Sequence, residues 1–220
     1  MRAQTAEMDF KEMQENLNKA GYTERKVTFS SKKATVLGGL SVLPLVVIFA
    51  VIYRIALVGR AHLTELTGPS FYFTLVPIII VSIVVHELLH GIGWALSSGK
   101  GWSVVRFNIN ALMPSCACKA ALSRGKYLIG VLLPFIILGG GSIIFLFVYP
   151  GTISILTMAV NIVLAGADVL IAAKVLREKN VLIADHQQRP VISHFVNKVA
   201  DRDFTLYMQF WSIQQENVLH

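Results

Sequence analysis

Charge is scarce in this sequence. Of its 220 residues, 15% are Asp, Glu, Lys or Arg and 54% are hydrophobic, against about 25% and about 45–50% in soluble domains. The hydrophobic content excludes a disordered chain, and its concentration in long blocks excludes an ordinary water-soluble globule. Cysteine is scarcer still. Two residues, Cys116 and Cys118, cannot build the disulfide framework that holds small secreted domains together. Internal repeats and low-complexity segments are both absent. The first 33 residues are polar and of mixed charge, so no cleavable signal peptide is expected.

What the sequence has instead is four apolar stretches, each long enough for the roughly 20 residues that a bilayer crossing takes. They run from about Ala34 to Val58, Phe71 to Leu96, Tyr127 to Tyr149 and Thr152 to Val175. Pro150-Gly151 alone separates the last two, which predicts a tight helical hairpin. The expected fold class is all-α integral membrane, with four transmembrane helices (34–176) between an N-terminal arm (1–33) and a C-terminal tail (177–220). In the arm, Met8, Phe10, Met13 and Leu17 at helical spacing predict a short amphipathic helix resting on the membrane surface. Between helices two and three, Val105, Phe107, Ile109 and Ala111 alternate with Arg106, Asn108 and Asn110. This predicts a small β element, a strand over Trp102–Ala111 and a second after Pro114. The tail from Asp185 onward shows no firm pattern.

The net charge of +7 raises nucleic acid as a partner, but the placement of the charges answers differently. Seven basic residues lie in the arm (Arg2, Lys11, Lys19, Arg25, Lys26, Lys32, Lys33), five between Ser97 and Lys126, and six from Lys174 onward. Arg54 and Arg60 are the other two, so eighteen of twenty fall on one side of the spans. The positive-inside bias assigns that side to the cytoplasm. The reading is a multi-pass protein of the cell membrane with both termini cytoplasmic, embedded in the lipid bilayer, and with no nucleic-acid partner. Cys116 and Cys118 then face the reducing side as thiols.

Ionisable side chains within the apolar blocks are few: His86, Glu87 and His90 in the second, Asp168 in the fourth, and Arg54 near the end of the first. A carboxylate at mid-membrane costs roughly 3 kcal/mol, so each is a functional candidate. His86-Glu87-Leu88-Leu89-His90 is an H-E-x-x-H motif. Its two imidazoles share a helix face and can reach one Zn²⁺. Glu87 stands close enough to take a proton from the attacking water. The bland explanation, polar glue between helices, must account for three such side chains in five residues. Asp168 is an independent sign. His86 lies fifteen residues into its span from Phe71, and Asp168 sixteen into its own from Thr152. At roughly 1.5 Å per residue both sit about 22–24 Å deep, so parallel helices bring two histidines and a carboxylate to one level. Three protein ligands with a fourth position open form the pattern of a catalytic zinc site. Pairing of Asp168 with Lys174 or Arg177 is the alternative, and a His₂Asp set also suits Fe²⁺ or Co²⁺.

These residues resemble two known groups. His86-Glu87-Leu88-Leu89-His90-Gly91 in a membrane helix, Pro114-Ser115-Cys116-Ala117-Cys118-Lys119, and Gly166-Ala167-Asp168 in the last helix look like the bacterial putative zincin peptidases, a family of membrane proteins. The likeness covers about residues 80–190. The order of helices is also similar to the core of the site-2-protease type of intramembrane metalloprotease, where one helix bears H-E-x-x-H, a second follows and a third supplies an aspartate. The resemblance implies Zn²⁺ as cofactor, His86, His90 and Asp168 as ligands, Glu87 as catalytic residue, and peptidase activity without naming a substrate. A membrane protein or peptide is the expected partner.

Four further residues are candidates for substrate contact or for support of the ligands: Asn161, Cys116, Cys118 and His186. Asn161 could face the site or bond between helices, and the two thiols, on one face if extended, could bind a second metal or form a redox pair. His62, His194 and His220 stand in polar surroundings and read as surface histidines. Gly91, Gly93 and Gly139–Gly141 are expected to permit close helix packing. The function expected is zinc-dependent peptide-bond hydrolysis in or near the membrane, with the site facing the cytoplasm. The rival is a non-catalytic metal-binding scaffold or chaperone. A metal transporter would need polar residues through the outer halves of the spans.

Overall fold

A computed structural model describes residues 2–28, 31–56, 67–110, 113–178, 181–185 and 191–197. The chain is mostly helical, in the order α1 (Arg2–Lys19), β1 (Tyr22–Thr28), α2 (Ser31–Ala56), α3 (Pro69–Ser98), a 3-10 turn (Gly101–Val104), β2 (Val105–Asn110), β3 (Met113–Cys118) and β4 (Leu122–Ser123). There follow α4 (Arg124–Pro134), a π turn (Phe135–Gly139), α5 (Gly140–Val148), α6 (Thr152–Leu164), α7 (Gly166–Arg177), β5 (Val181–Asp185) and β6 (Val191–Asn197).

Four helical stretches are long and apolar enough to cross a membrane: Val36–Tyr53, Pro69–Ser98, Arg124–Val148 and Thr152–Arg177. Their packing is inverted relative to a water-soluble bundle. Phe73, Ile80, Ile144 and Val148 are exposed on the outside, whereas Ser82, Ser142, Ser154 and Asn161 are buried inside. That distribution suits an apolar solvent, in which the polar groups turn inward. Two of the serines satisfy themselves locally, Ser142 Oγ donating to the Gly139 carbonyl at 2.9 Å and Ser154 Oγ to that of Gly151 at 2.8 Å.

The third and fourth spans are each interrupted. The third passes through the π turn after Pro134, whose ring removes a helical donor. The fourth breaks at Ala165, so that α7 begins afresh at Gly166 and carries Asp168 in its first turn.

Two backbone-to-backbone crossings set the helix positions. At α3 and α4, a Cβ on Gly93 would lie 2.6 Å from the Gly130 Cα, and one on Gly130 would overlap the Trp94 indole. At α2 and α7, a Cβ on Gly38 would lie 2.6 Å from the Ala167 nitrogen, and one on Gly166 would run into the Gly38 carbonyl. The glycine run expected to serve this purpose does not. Gly140 and Gly141 have nothing within 4 Å, and Gly139 meets only the ring of Phe135 in its own span.

The β structure is larger than the sequence suggests. β2 and β3 form an antiparallel hairpin with Phe107 opposite Cys116. It starts at Val105, because residues 101–104 close a 3-10 turn, and its second strand contains Pro114 instead of following it. A second, four-stranded antiparallel sheet in the order β1-β6-β5-β4 joins the arm to the tail. The amphipathic face of α1 is covered by this sheet and not by a membrane surface. Phe10 is buried with Ala184 and Phe195, and Met13 and Leu17 pack alongside. Glu24 ties these parts together, accepting from Gln14 Nε2 and from Ser193 Oγ, each at 2.6 Å.

Gly93→Val should force α3 and α4 apart and destabilise the fold by about 1–3 kcal/mol, read as a lower midpoint of thermal unfolding in detergent. Gly140→Val, with open space around it, should leave that midpoint nearly unchanged.

Candidate metal centre

His86, His90 and Asp168 come together. Their separation in sequence is bridged by the packing of α3 against α6, with Asp168 in the first turn of α7 that follows. His86 Nε2 lies 3.0 Å from Asp168 Oδ2, His90 Nε2 lies 3.5 Å from the same oxygen, and the two Nε2 atoms are 3.1 Å apart. In a tetrahedral zinc site with bonds of about 2.0–2.1 Å, ligand atoms stand about 3.3–3.4 Å from one another. The observed triangle has nearly those edges.

Protonation chemistry makes the triangle informative. His90 Nδ1 is 2.8 Å from the Gly130 carbonyl, which can only accept, so Nδ1 carries the hydrogen. A neutral imidazole then turns the lone pair of Nε2 into the cluster. That nitrogen faces a carboxylate oxygen and a second imidazole nitrogen. Asp168 Oδ2 is buried and, despite the short distances, makes no hydrogen bond of good geometry. No hydrogen bond to His86 Nδ1 among the described residues fixes the tautomer of that ring. Its Nε2 can donate within the triangle or, with the hydrogen on Nδ1, join His90 Nε2 and Asp168 Oδ2 in facing a cation. These three side chains could hold a metal ion. Donation of the other ring N–H to a backbone carbonyl is the usual way a ligating histidine is oriented.

Trp94 completes the support of His90. It follows at i+4, its ring stacks on the imidazole with centroids 5.4 Å apart and planes 14° from parallel, and its Nε1–H donates to the Tyr127 carbonyl at 3.2 Å. The indole fills the slot left by the missing side chain of Gly130. Its spacing was a legible signal, since His86, His90 and Trp94 form one row on α3. Gly130 had a local signal too. Pro134, four residues on, lacks the N–H that would take the Gly130 carbonyl in a helix, which leaves that carbonyl to His90 Nδ1. His86 Nδ1 is buried without a hydrogen-bond partner among the described residues.

Glu87 stands next to the triangle without being part of it. One residue round the helix from His86, its carboxylate turns to the hairpin, where Oε2 accepts the backbone N–H of Cys116 at 2.5 Å. The secondary candidates divide. Cys116 and Cys118 are two residues apart on β3, neither in a disulfide, with Cys118 buried in the core beside Trp94 and Tyr127 and Cys116 packed against it. They join no metal-holding group among the described residues. Asn161 is buried on α6 with Oδ1 unpartnered, two turns before Asp168, and no contact joins it to the cluster. His186, like His62 and His220, lies outside the described residues. His194 is not a surface residue. It is buried in the middle of the four-stranded sheet, with Nδ1 3.8 Å from Glu178 Oε1, because pairing of the tail with the arm covers it.

Residues 79–182, just under half of the chain, match the family described as "Putative zincin peptidase". The matched segment carries His86, Glu87, His90, Asp168 and the β2–β3 hairpin, and leaves out the arm and α2. Among curated proteins and among solved structures, no significant match is found.

Purified gently in detergent, the protein should carry about one zinc per chain, measured by plasma mass spectrometry. His86→Ala, His90→Ala and Asp168→Ala should lose it and Glu87→Ala keep it. Trp94→Ala should retain the metal with about 10–100-fold weaker affinity, read by chelator competition.

Proposed function

We propose that this chain is a zinc-dependent peptidase working within the membrane near its cytoplasmic face, on a membrane protein or peptide. The observation that carries the reading is the triangle of His86, His90 and Asp168 with Glu87 at its side, inside helices apolar enough to span a bilayer. The family likeness of residues 79–182 points to the same chemistry.

Orientation follows from charge. The cluster lies toward the end of the bundle that bears the sheet of arm and tail, and eighteen of the twenty basic residues belong to that side. The positive-inside bias makes it cytoplasmic, with both chain termini. A site at this depth is closer to water on that face, and the opposite ends of the spans carry only scattered hydroxyls such as Ser70, Thr74, Ser154 and Thr157 besides Arg54.

Zinc bound here would polarise a scissile carbonyl and make a water acidic enough to attack it. The rest falls to the chain. His86, His90 and Asp168 leave a fourth position open. The bond from His90 Nδ1 to Gly130 keeps its ring in the ligating tautomer. Glu87 takes the proton from the attacking water and returns it to the leaving amine, as a carboxylate close to the reacting atoms but not committed to the metal. Glu87 also seats the hairpin through the Cys116 N–H, so a loss of cleavage with zinc and fold retained is what separates a peptidase from a scaffold.

Glu87→Gln keeps size and hydrogen bonding but removes the base. Cleavage should fall by about 10²–10⁴-fold with zinc content unchanged. The measurement is quantitative membrane proteomics of cells carrying wild type or variant, in which uncut substrates accumulate in the variant. Identical peptide profiles from the two would overturn the peptidase reading.

A further inference from the structure

The carboxylate assigned to proton transfer is held by the hairpin, and strand geometry explains how. Backbone N–H and C=O groups alternate between the two edges of a strand with period two. The Lys119 N–H donates to the Val104 carbonyl at 2.7 Å, so odd-numbered residues in this part of the chain face β2 and even-numbered ones face outward. Pro114 stands at an even position, where its missing N–H costs the ladder nothing. Cys116 is the next even residue. Its N–H points away from β2, toward α3, and Glu87 Oε2 takes it.

One turn further along α3 the hairpin is seated by shape. A Cβ at Gly91 would lie 2.8 Å from the Phe107 ring, 3.1 Å from that of Trp102 and 3.2 Å from a methyl of Val105. Gly91 and Glu87 are four residues apart and share a face, so the hairpin covers the flank of α3 next to the metal cluster. The contact at Gly91 is apolar and non-directional. The bond at Glu87 is directional and made to an ionisable group, the stronger kind of hydrogen bond.

We propose that the β2–β3 hairpin is an autoinhibitory lid and that Glu87 is its latch. While β3 is seated, its backbone fills the place beside Glu87 that a substrate backbone needs, and the Cys116 amide holds the carboxylate to the strand. Release of that bond frees the base and removes the directional hold, and the flank opens when the apolar seat at Gly91 and the burial of Cys118 give way as well. The second half of this inference rests on the peptidase reading of Glu87; the latch itself does not.

The chain's own thiols report the lid. Its two cysteines both lie on β3, so Cys116→Ser leaves Cys118, 1% exposed, as the one thiol. Its rate of alkylation by N-ethylmaleimide, followed by intact mass on full-length protein in detergent, measures opening. Adding Glu87→Ala should speed labelling about 10–100-fold, the factor carried by one hydrogen bond to a charged group. Adding Glu87→Gln, which keeps an acceptor oxygen but not the charge, should speed labelling clearly less than Glu87→Ala, by about the square root of its factor. Cys116→Pro deletes the donor instead, at a position where the ladder does not use it, and should speed labelling of Cys118 with Glu87 intact. It asks the same question from the strand side should Glu87→Ala fail to fold, as judged by gel filtration and zinc content. Unchanged labelling in folded Glu87→Ala or Cys116→Pro overturns the latch, as does equal acceleration by Ala and Gln. Neither result touches the peptidase reading, which falls only if the proteomic comparison fails.

Discussion

The whole arrangement hangs on one contact, the backbone of α3 against the backbone of α4 at Gly93 and Gly130. With side chains at either position the helices would stand further apart, and the Gly130 carbonyl would move out of reach of His90 Nδ1. The indole of Trp94 would lose the slot that holds it flat against the imidazole. The tautomer of His90, the direction of its lone pair and the edges of the ligand triangle all descend from that approach. The crossing of Gly38 and Gly166 does the same for Asp168 from the other side of the bundle. Two pairs of glycines thus fix the ligands more firmly than any property of the ligands themselves.

The physical setting sharpens this dependence. In an apolar solvent nothing outside the protein competes for hydrogen bonds, and nothing compensates for a polar group left alone. Ser142 and Ser154 answer that constraint by bonding to their own helices. The triangle turns inward instead, with His86 Nε2 3.1 Å from His90 Nε2 and 3.0 Å from Asp168 Oδ2. These three side chains could hold a metal ion, and an ion bound there would add its binding free energy to the folded state.

Sequence reasoning reached what has local periodicity or local chemistry. The four spans are visible because twenty apolar residues in a row leave few alternatives, and the H-E-x-x-H row because i and i+4 share a face. Asp168 could be joined to it by counting residues from the start of each span, which works while helices run parallel and start at one level. The irregularity at Ala165 went unseen, but helical bonds run on either side of it, from Ala165 N–H to Asn161 and from Val169 N–H to Ala165, so the count still held. What sequence could not show is pairing between distant segments. Tail residues 191–197 look featureless because their partners, Tyr22–Thr28, lie at the other end of the chain. The same long-range pairing buries His194 and takes the apolar face of α1 off the membrane. Glycines misled for a related reason, since their importance depends on what lies across from them. Gly140 and Gly141 after the π turn face open space, whereas Gly38 and Gly166 meet backbone and Gly130 the Trp94 indole.

The sheet that joins arm to tail also imposes an order of events during synthesis. Glu24 and Ser193, hydrogen-bonded in the finished protein, are 169 residues apart in the chain. At roughly 5–20 residues per second, β1 waits on the order of ten seconds or more for its partner, long after the first spans have left the ribosome. Through that interval α1 has no sheet to cover Phe10, Met13 and Leu17. The packing of the arm therefore waits on a strand from the other end of the chain, and it can be completed only once β6 emerges.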